Sequence, residues 1–265
     1  VGCYLSPHVN RIEERISVAG KQISSPDLLT AFRRVIPAVE KLDKIASRKK
    51  MAGPTWFEVL TAVAFTHFER AQVDLAVIET GLGGRLDATN LCKPVVSIIT
   101  NISLDHTDVL GNTIRAIATE KAGIIRRGIP VVSTAMHPEA SHVIIDKAQS
   151  QRTKLLLLKR DFEINQVKNT KPSSSCQAAL HPFEIQAPPG SQGTIYKTAM
   201  AGIHQAENAA SAVMATKVLS EKGFKINKQA IATGLRKTRL PARIEWISDS
   251  PVSYTHLTLP TILLV

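Results

Sequence analysis

The chain has 265 residues, with 33 Lys and Arg against 22 Asp and Glu, a formal net charge of +11. Apolar residues make up 44% and charged residues 21%, a globular balance that excludes an intrinsically disordered chain. The length allows one large domain or two small ones.

No apolar run approaches the roughly 18 residues of a membrane span. The opening residues from Val1 to His8 carry no Met and no leader pattern, and the chain reads as cut from something longer. Cys3, Cys92 and Cys176 are too few and too scattered for a disulfide framework or a thiolate zinc site. They read as reduced thiols of a cytoplasmic protein. Aromatics are only 5% and the basic residues are scattered, which argues against a nucleic-acid surface and for anionic small molecules.

In chain order, residues 26–49 are expected to be helical. Ser25 is placed to cap, Pro26 suits the first turn, and Leu28, Leu29, Phe32, Val35 and Ile36 form one face. Pro37 is expected to break or kink this stretch into two helices. Thr55 with Glu58 three residues on fits a capping box, followed by a helix to about Ala71. Near-continuous apolar strands follow at 73–78, 94–100, 129–133 and 154–158, with helices near 113–122 and 137–150. The pattern predicts an α/β fold with a mostly parallel sheet covered on both faces. Short extended pieces at 183–185 and 195–197 suggest a small antiparallel flap, and helices are expected at about 204–222 and 228–237.

Ligands of open parallel sheets bind at the carboxyl ends of the strands. Two polar clusters fall there. Glu79 leaves a strand and enters a loop with Gly81, Gly83 and Gly84, reading either as a capped loop residue or as a hard-metal ligand. Residues 100–106 end in Asp105-His106, and Lys121 follows in a short helix. Each has an ordinary structural reading: Asp105 as a turn cap, His106 as a hydrogen-bonded strand end, Lys121 as a helix terminus. Together they point to a magnesium-nucleotide site. No G-x-x-x-x-G-K-[ST] phosphate loop occurs in these residues, and the glycine loop is not a dinucleotide fingerprint.

These residues carry a resemblance. The runs 79–90 (ETGLGGRLDATN), 99–111 (ITNISLDHTDVLG) and 117–125 (IATEKAGII) are similar to the bacterial folylpolyglutamate synthase/dihydrofolate synthase family of the Mur-ligase superfamily. Ser6-Pro7-His8, Thr55-x-Phe57-Glu58, Gly202-x-His204-Gln205-x-x-Asn208-Ala209-Ala210 and Leu240-Pro241-x-Arg243-x-Glu245 extend the match, in family order, over residues 1–251. The resemblance implies a P-loop-NTPase-like central ATPase domain with an antiparallel flap. It implies an ATP-dependent ligase that adds L-glutamate to dihydropteroate and to folates through an acyl phosphate, and a monomer bound to neither nucleic acid nor membrane. All its reactants are anionic, which suits a basic chain.

Residue by residue, the resemblance makes Glu79 and His106 ligands of Mg2+, and Lys121 a lysine carbamylated by carbon dioxide. Asn208 and Arg243 become ATP contacts. Asp87 and Phe57 become pterin contacts, and Ser6 and His8 border the folate site.

The match has gaps. The family's phosphate loop lies upstream of its Ser-Pro-His motif, and its second, Rossmann-like domain opens with Asp-Gly-Ala-His-Asn; neither occurs here. Residues 252–265 have no family counterpart and read as a foreign tail, and Ala242 stands where the family has Gly. The polypeptide as it stands is expected to be inactive. Two rival readings are another Mur-type amino-acid ligase and a non-catalytic basic binding domain.

Overall fold

A computed structural model describes residues 1–167 and 180–239. They fall into two compact units, Val1–Lys93 and Pro94–Val265, each described by itself.

The first unit is a four-stranded sheet covered by two helices. Strand β1 (Gly2–Tyr4) pairs antiparallel with β2 (Ile16–Val18), which pairs with the two-residue β3 (Lys21–Gln22). On its other side β1 pairs in parallel with β4 (Ala76–Ile78), giving the order β3-β2-β1-β4. The hairpins carry too few residues to show a period-two pattern, so the sequence reading found only β4.

Helix α1 (Ser25–Arg48) is capped by Ser24, whose hydroxyl accepts the Asp27 amide at 3.2 Å, one residue earlier than expected. Helix α2 (Trp56–Arg70) starts on the expected capping box, with Thr55 and Glu58 each holding the other's amide. The two helices bury Leu28, Ala31, Val35, Leu60, Val63, Ala64 and Phe68 with Tyr4 and Ile16 of the sheet.

Pro37 does not divide α1. The helix runs through it unbroken. Proline in a helix interior costs about 3 kcal/mol in a lost hydrogen bond and a ring clash. Burial of Leu28, Ala31 and Val35 along one face outweighs that, since tertiary packing supplies most helical stability in proteins.

The second unit matches the expected α/β pattern. Strands β5 (Ser97–Ile99), β6 (Val131–Ser133) and β7 (Leu155–Leu157) are parallel, in the order β5-β6-β7. Helices α3 (Thr107–Leu110), α4 (Ile114–Lys121) and α5 (Pro138–Ser150) lie between them in sequence.

Successive strand residues serve opposite faces. Val131, Leu155 and Leu157 pack with Ile117, Ala140 and Ile144 of α4 and α5. Val132 joins a second core, in which Phe183, Ile185 and Tyr196 meet Ala209, Ala210, Val213 and Val218. Those aromatic and branched residues come from the antiparallel flap, β8 (Glu163–Gln166), β9 (His181–Gln186) and β10 (Thr194–Thr198). The alanines and valines come from α6 (Ile203–Glu221), and α7 (Lys228–Lys237) follows. Strand β8, α3 and the capping residues of α3 were not foreseen.

Candidate active site

In the first unit, the register that sets Tyr4 opposite Ile78 brings the two chain exits together. The Glu79 amide donates to the Tyr4 carbonyl at 2.9 Å, and the Glu79 carboxylate accepts the Ser6 amide through Oε2. The Ser6 hydroxyl lies 3.5 Å from the same oxygen. No described residue donates to Oε1, and the side chain is exposed. Glu79 is thus an anchored carboxylate with one oxygen open. Its charge adds to burial in pushing the Cys3 thiol up from its ordinary value.

The loop after Glu79 is organised by Asp87. Its Oδ2 accepts the amides of Gly81 and Leu82, both at 2.9 Å. Its Oδ1 accepts the Thr89 amide at 2.9 Å and the Thr89 hydroxyl. A carboxylate offers about four lone-pair sites, so these donors fill it. The residue assigned by resemblance to a substrate contact therefore has a structural task already.

Gly81 is required by a neighbour. A Cβ there would stand 2.3 Å from Cζ of Phe57. Phe57 also stacks on Tyr4, with ring centroids 5.9 Å apart and planes at 28°, so much of its surface is committed within the unit.

Two further residues here went unread in the sequence. Trp56 is 59% exposed at the start of α2 and meets Phe57 edge-on at 5.8 Å. Arg15 is only 6% exposed; its guanidinium carbon lies 4.9 Å from the centre of the Trp56 ring, and its Nε donates to His8 Nδ1 at 2.8 Å. Adjacent Glu14 accepts the amides of Val9, Asn10 and Arg11, so the segment after Ser6-Pro7-His8 is fastened by two consecutive residues. The sequence signal was the Glu14-Arg15 pair just before β2.

In the second unit, the carboxyl end of β5 leads through Asn101, whose Oδ1 accepts the Ile102 amide at 3.0 Å, to Asp105 and His106. His106 caps α3 in the left-handed conformation, φ 50° and ψ 39°, which histidine tolerates better than branched residues. Its amide donates to Asp105 Oδ1 at 2.8 Å. Lys121 ends α4 and is half-buried. Burial pushes its amine below the ordinary lysine value, and the charge of Asp105 opposes that in part.

Asn208 lies exposed in the second turn of α6, its Nδ2 donating to Gln205 Oε1 at 3.4 Å. Arg243 and the rest of its motif lie outside the described residues, as does the 252–265 tail.

The structure thus joins Ser6 to Glu79, Phe57 to the Asp87 loop, and Asp105 to His106, with the Asp105 charge acting on Lys121. Among the described residues, no three or more His, Cys, Asp and Glu gather as a metal cluster, and no helix is long and apolar enough to cross a membrane.

Comparison with known proteins gives the family and the fold. The model of the Mur ligase middle domain matches residues 45–216. The chain is 35% identical to the dihydrofolate synthase/folylpolyglutamate synthase of Bacillus subtilis, covering 96% of this chain and 57% of that protein. It is 33% identical to the Escherichia coli protein of the same description, over 95% of this chain and 52% of the relative.

Among solved structures, the apo form of Lactobacillus casei FPGS aligns with a TM-score of 0.82 at 35% identity, covering 94% of this chain and 58% of that one. An FPGS–AMPPCP–folate complex aligns at 0.83 and 36%, with the same coverage. The chain spans a little over half the length of these relatives. With a family model matching well over half its residues and a shared α/β fold, the chain belongs to the Mur ligase middle-domain family.

Proposed function

We propose that this chain is the ATP-handling part of a ligase that joins L-glutamate to dihydropteroate and to folates. One observation carries the reading. Dihydrofolate and folylpolyglutamate synthases are similar over 95–96% of the chain, and Glu79 follows strand β4 of the first unit while His106 and Lys121 follow strand β5 of the second. We take residues 1–251 as the Mur-type ATP-binding region and 252–265 as unrelated to it. The phosphate-binding loop and the glutamate-ligase domain then belong to the remaining length of such a protein.

In the reaction, a carboxylate oxygen of the acceptor attacks the γ-phosphorus of ATP and ADP leaves. The amine nitrogen of glutamate then attacks the acyl carbon, and phosphate departs with its electron pair. Magnesium is bound through one or two protein groups plus phosphates and water. Glu79, with one oxygen tied to Ser6 and the other open, fits that role. Imidazole is a less usual partner, and His106 fits by its exposed ring on a fixed backbone. Magnesium so held would neutralise charge on the transferring phosphoryl group.

The depressed basicity of Lys121 supports its reading as a carbamate, because only the neutral amine adds carbon dioxide. Asn208 is read as an ATP contact. Asp87, by filling its oxygens with loop amides, is read as shaping the pterin site as much as touching it. The reading takes the enzyme as a cytoplasmic monomer.

The test offers the full gene product ATP, labelled L-glutamate and three acceptors: dihydropteroate, tetrahydrofolate and a UDP-muramyl peptide. Label is expected in the first two products. Label in the third alone would assign a cell-wall ligase instead.

A further inference from the structure

Asp105 has no role in the assignments above, yet it lies against His106 and its charge acts on Lys121. Its Oδ1 takes the His106 amide at 2.8 Å. Its Oδ2 lies 3.6 Å from His106 Nε2, a few tenths of an ångström beyond an N–H···O bond. That oxygen is closed to solvent and has no hydrogen-bond partner among the described residues, although the side chain as a whole keeps 19% of its exposure. A shielded carboxylate oxygen with no donor is costly, and the nearest relief is the imidazole beside it. The ring is itself 51% exposed, so no packing of its own fixes it.

We propose that Asp105 is a positioning residue. It holds the His106 backbone in its left-handed cap with one oxygen and draws the ring's Nε2–H toward the other, leaving Nδ1 as the lone-pair nitrogen. A neutral imidazole carries one donor and one acceptor, and a carboxylate beside one nitrogen fixes which is which. Carboxylate–imidazole pairs of this kind orient metal-binding histidines. The same carboxylate is the negative charge acting on Lys121, so one side chain serves two residues. The metal aspect rests on the reading of His106 as a magnesium ligand; the ring orientation does not.

The test uses the 265-residue chain labelled with 15N and 13C, its His106 signals assigned by their loss in His106→Gln. Above the imidazole's titration, long-range proton–nitrogen correlation should show a single Nε2–H tautomer. Carbon relaxation should show a ring as rigid as the backbone. In Asp105→Asn, which retains an oxygen for the amide, and in Asp105→Ala, the ring should gain fast motion and the tautomers should mix. A parallel titration with Mn2+ alone should broaden the His106 ring in the wild type, and should need about 10- to 100-fold more metal in Asp105→Asn.

An Nδ1–H tautomer in the wild type, or unchanged ring motion and tautomer in both variants, would overturn the proposal. Absence of broadening in a wild-type ring that is rigid and Nε2-protonated would overturn the metal reading of His106 and leave the positioning role standing. Amide spectra that match away from residues 100–122 establish that the variants fold.

Discussion

Asp87 shows how one carboxylate can be read two ways. The sequence places it in a glycine loop, and the structure fills its oxygens with donors from Gly81, Leu82 and Thr89. Truncating it leaves those amides to find water or remain unpaired. We expect Asp87→Ala to cost about 1–3 kcal/mol of stability, measured by denaturant unfolding. A carboxylate kept only for substrate would leave the unfolding midpoint where it was.

Lys121 makes a second prediction at this scale. Its folded-state value lies below the ordinary 10.5, chiefly through burial. Between those two values the unfolded chain binds more protons than the folded one, so stability rises with pH across that window. Lys121→Met removes the buried amine. The variant should have the higher denaturant midpoint at pH 7, and the gap should close as pH approaches 10.5. A variant less stable than wild type at pH 7 would mean that the amine is satisfied by a partner. At this scale the sequence offered Glu79, His106 and Lys121 as candidates, because they sit in distinctive local runs. It could not show Asp105 Oδ2 shut away from solvent, since that depends on packing around the strand end.

Elements were legible where their signals are local. Thr55 and Glu58 announce the start of α2, and Asn227, whose Oδ1 accepts the Ala230 amide at 2.7 Å, announces α7. The alternating faces of β6 and β7 follow from uninterrupted apolar runs. The β1–β3 hairpins left no such trace, because their strands of two and three residues sit in no longer apolar run.

Pro37 was misjudged for a related reason. Its local cost is real, while the compensating burial lies on the opposite side of the helix. The ring is exposed, so an amide restored at this position should complete the helical ladder without disturbing the core. Pro37→Ala is expected to stabilise the chain by up to about 3 kcal/mol, read as a raised melting temperature. A fall in melting temperature would mean that α1 depends on the proline's geometry.

For the whole molecule, composition admitted either one large domain or two small ones, and the described residues form two units with separate cores. The parallel sheet with a flap was legible from apolar runs and loop breaks. The mixed sheet of the first unit was not. The net charge of +11 agrees with the proposed handling of ATP, glutamate and folates, all anions.

The central claim is transfer of a phosphoryl group to the acceptor carboxylate, followed by its displacement by glutamate. Dihydropteroate with both carboxylate oxygens replaced by a heavy isotope tests this directly when given to the full gene product with ATP and L-glutamate. The account predicts one heavy oxygen in each released phosphate, in step with glutamylated product. Glutamylated product formed with phosphate free of the isotope would contradict it.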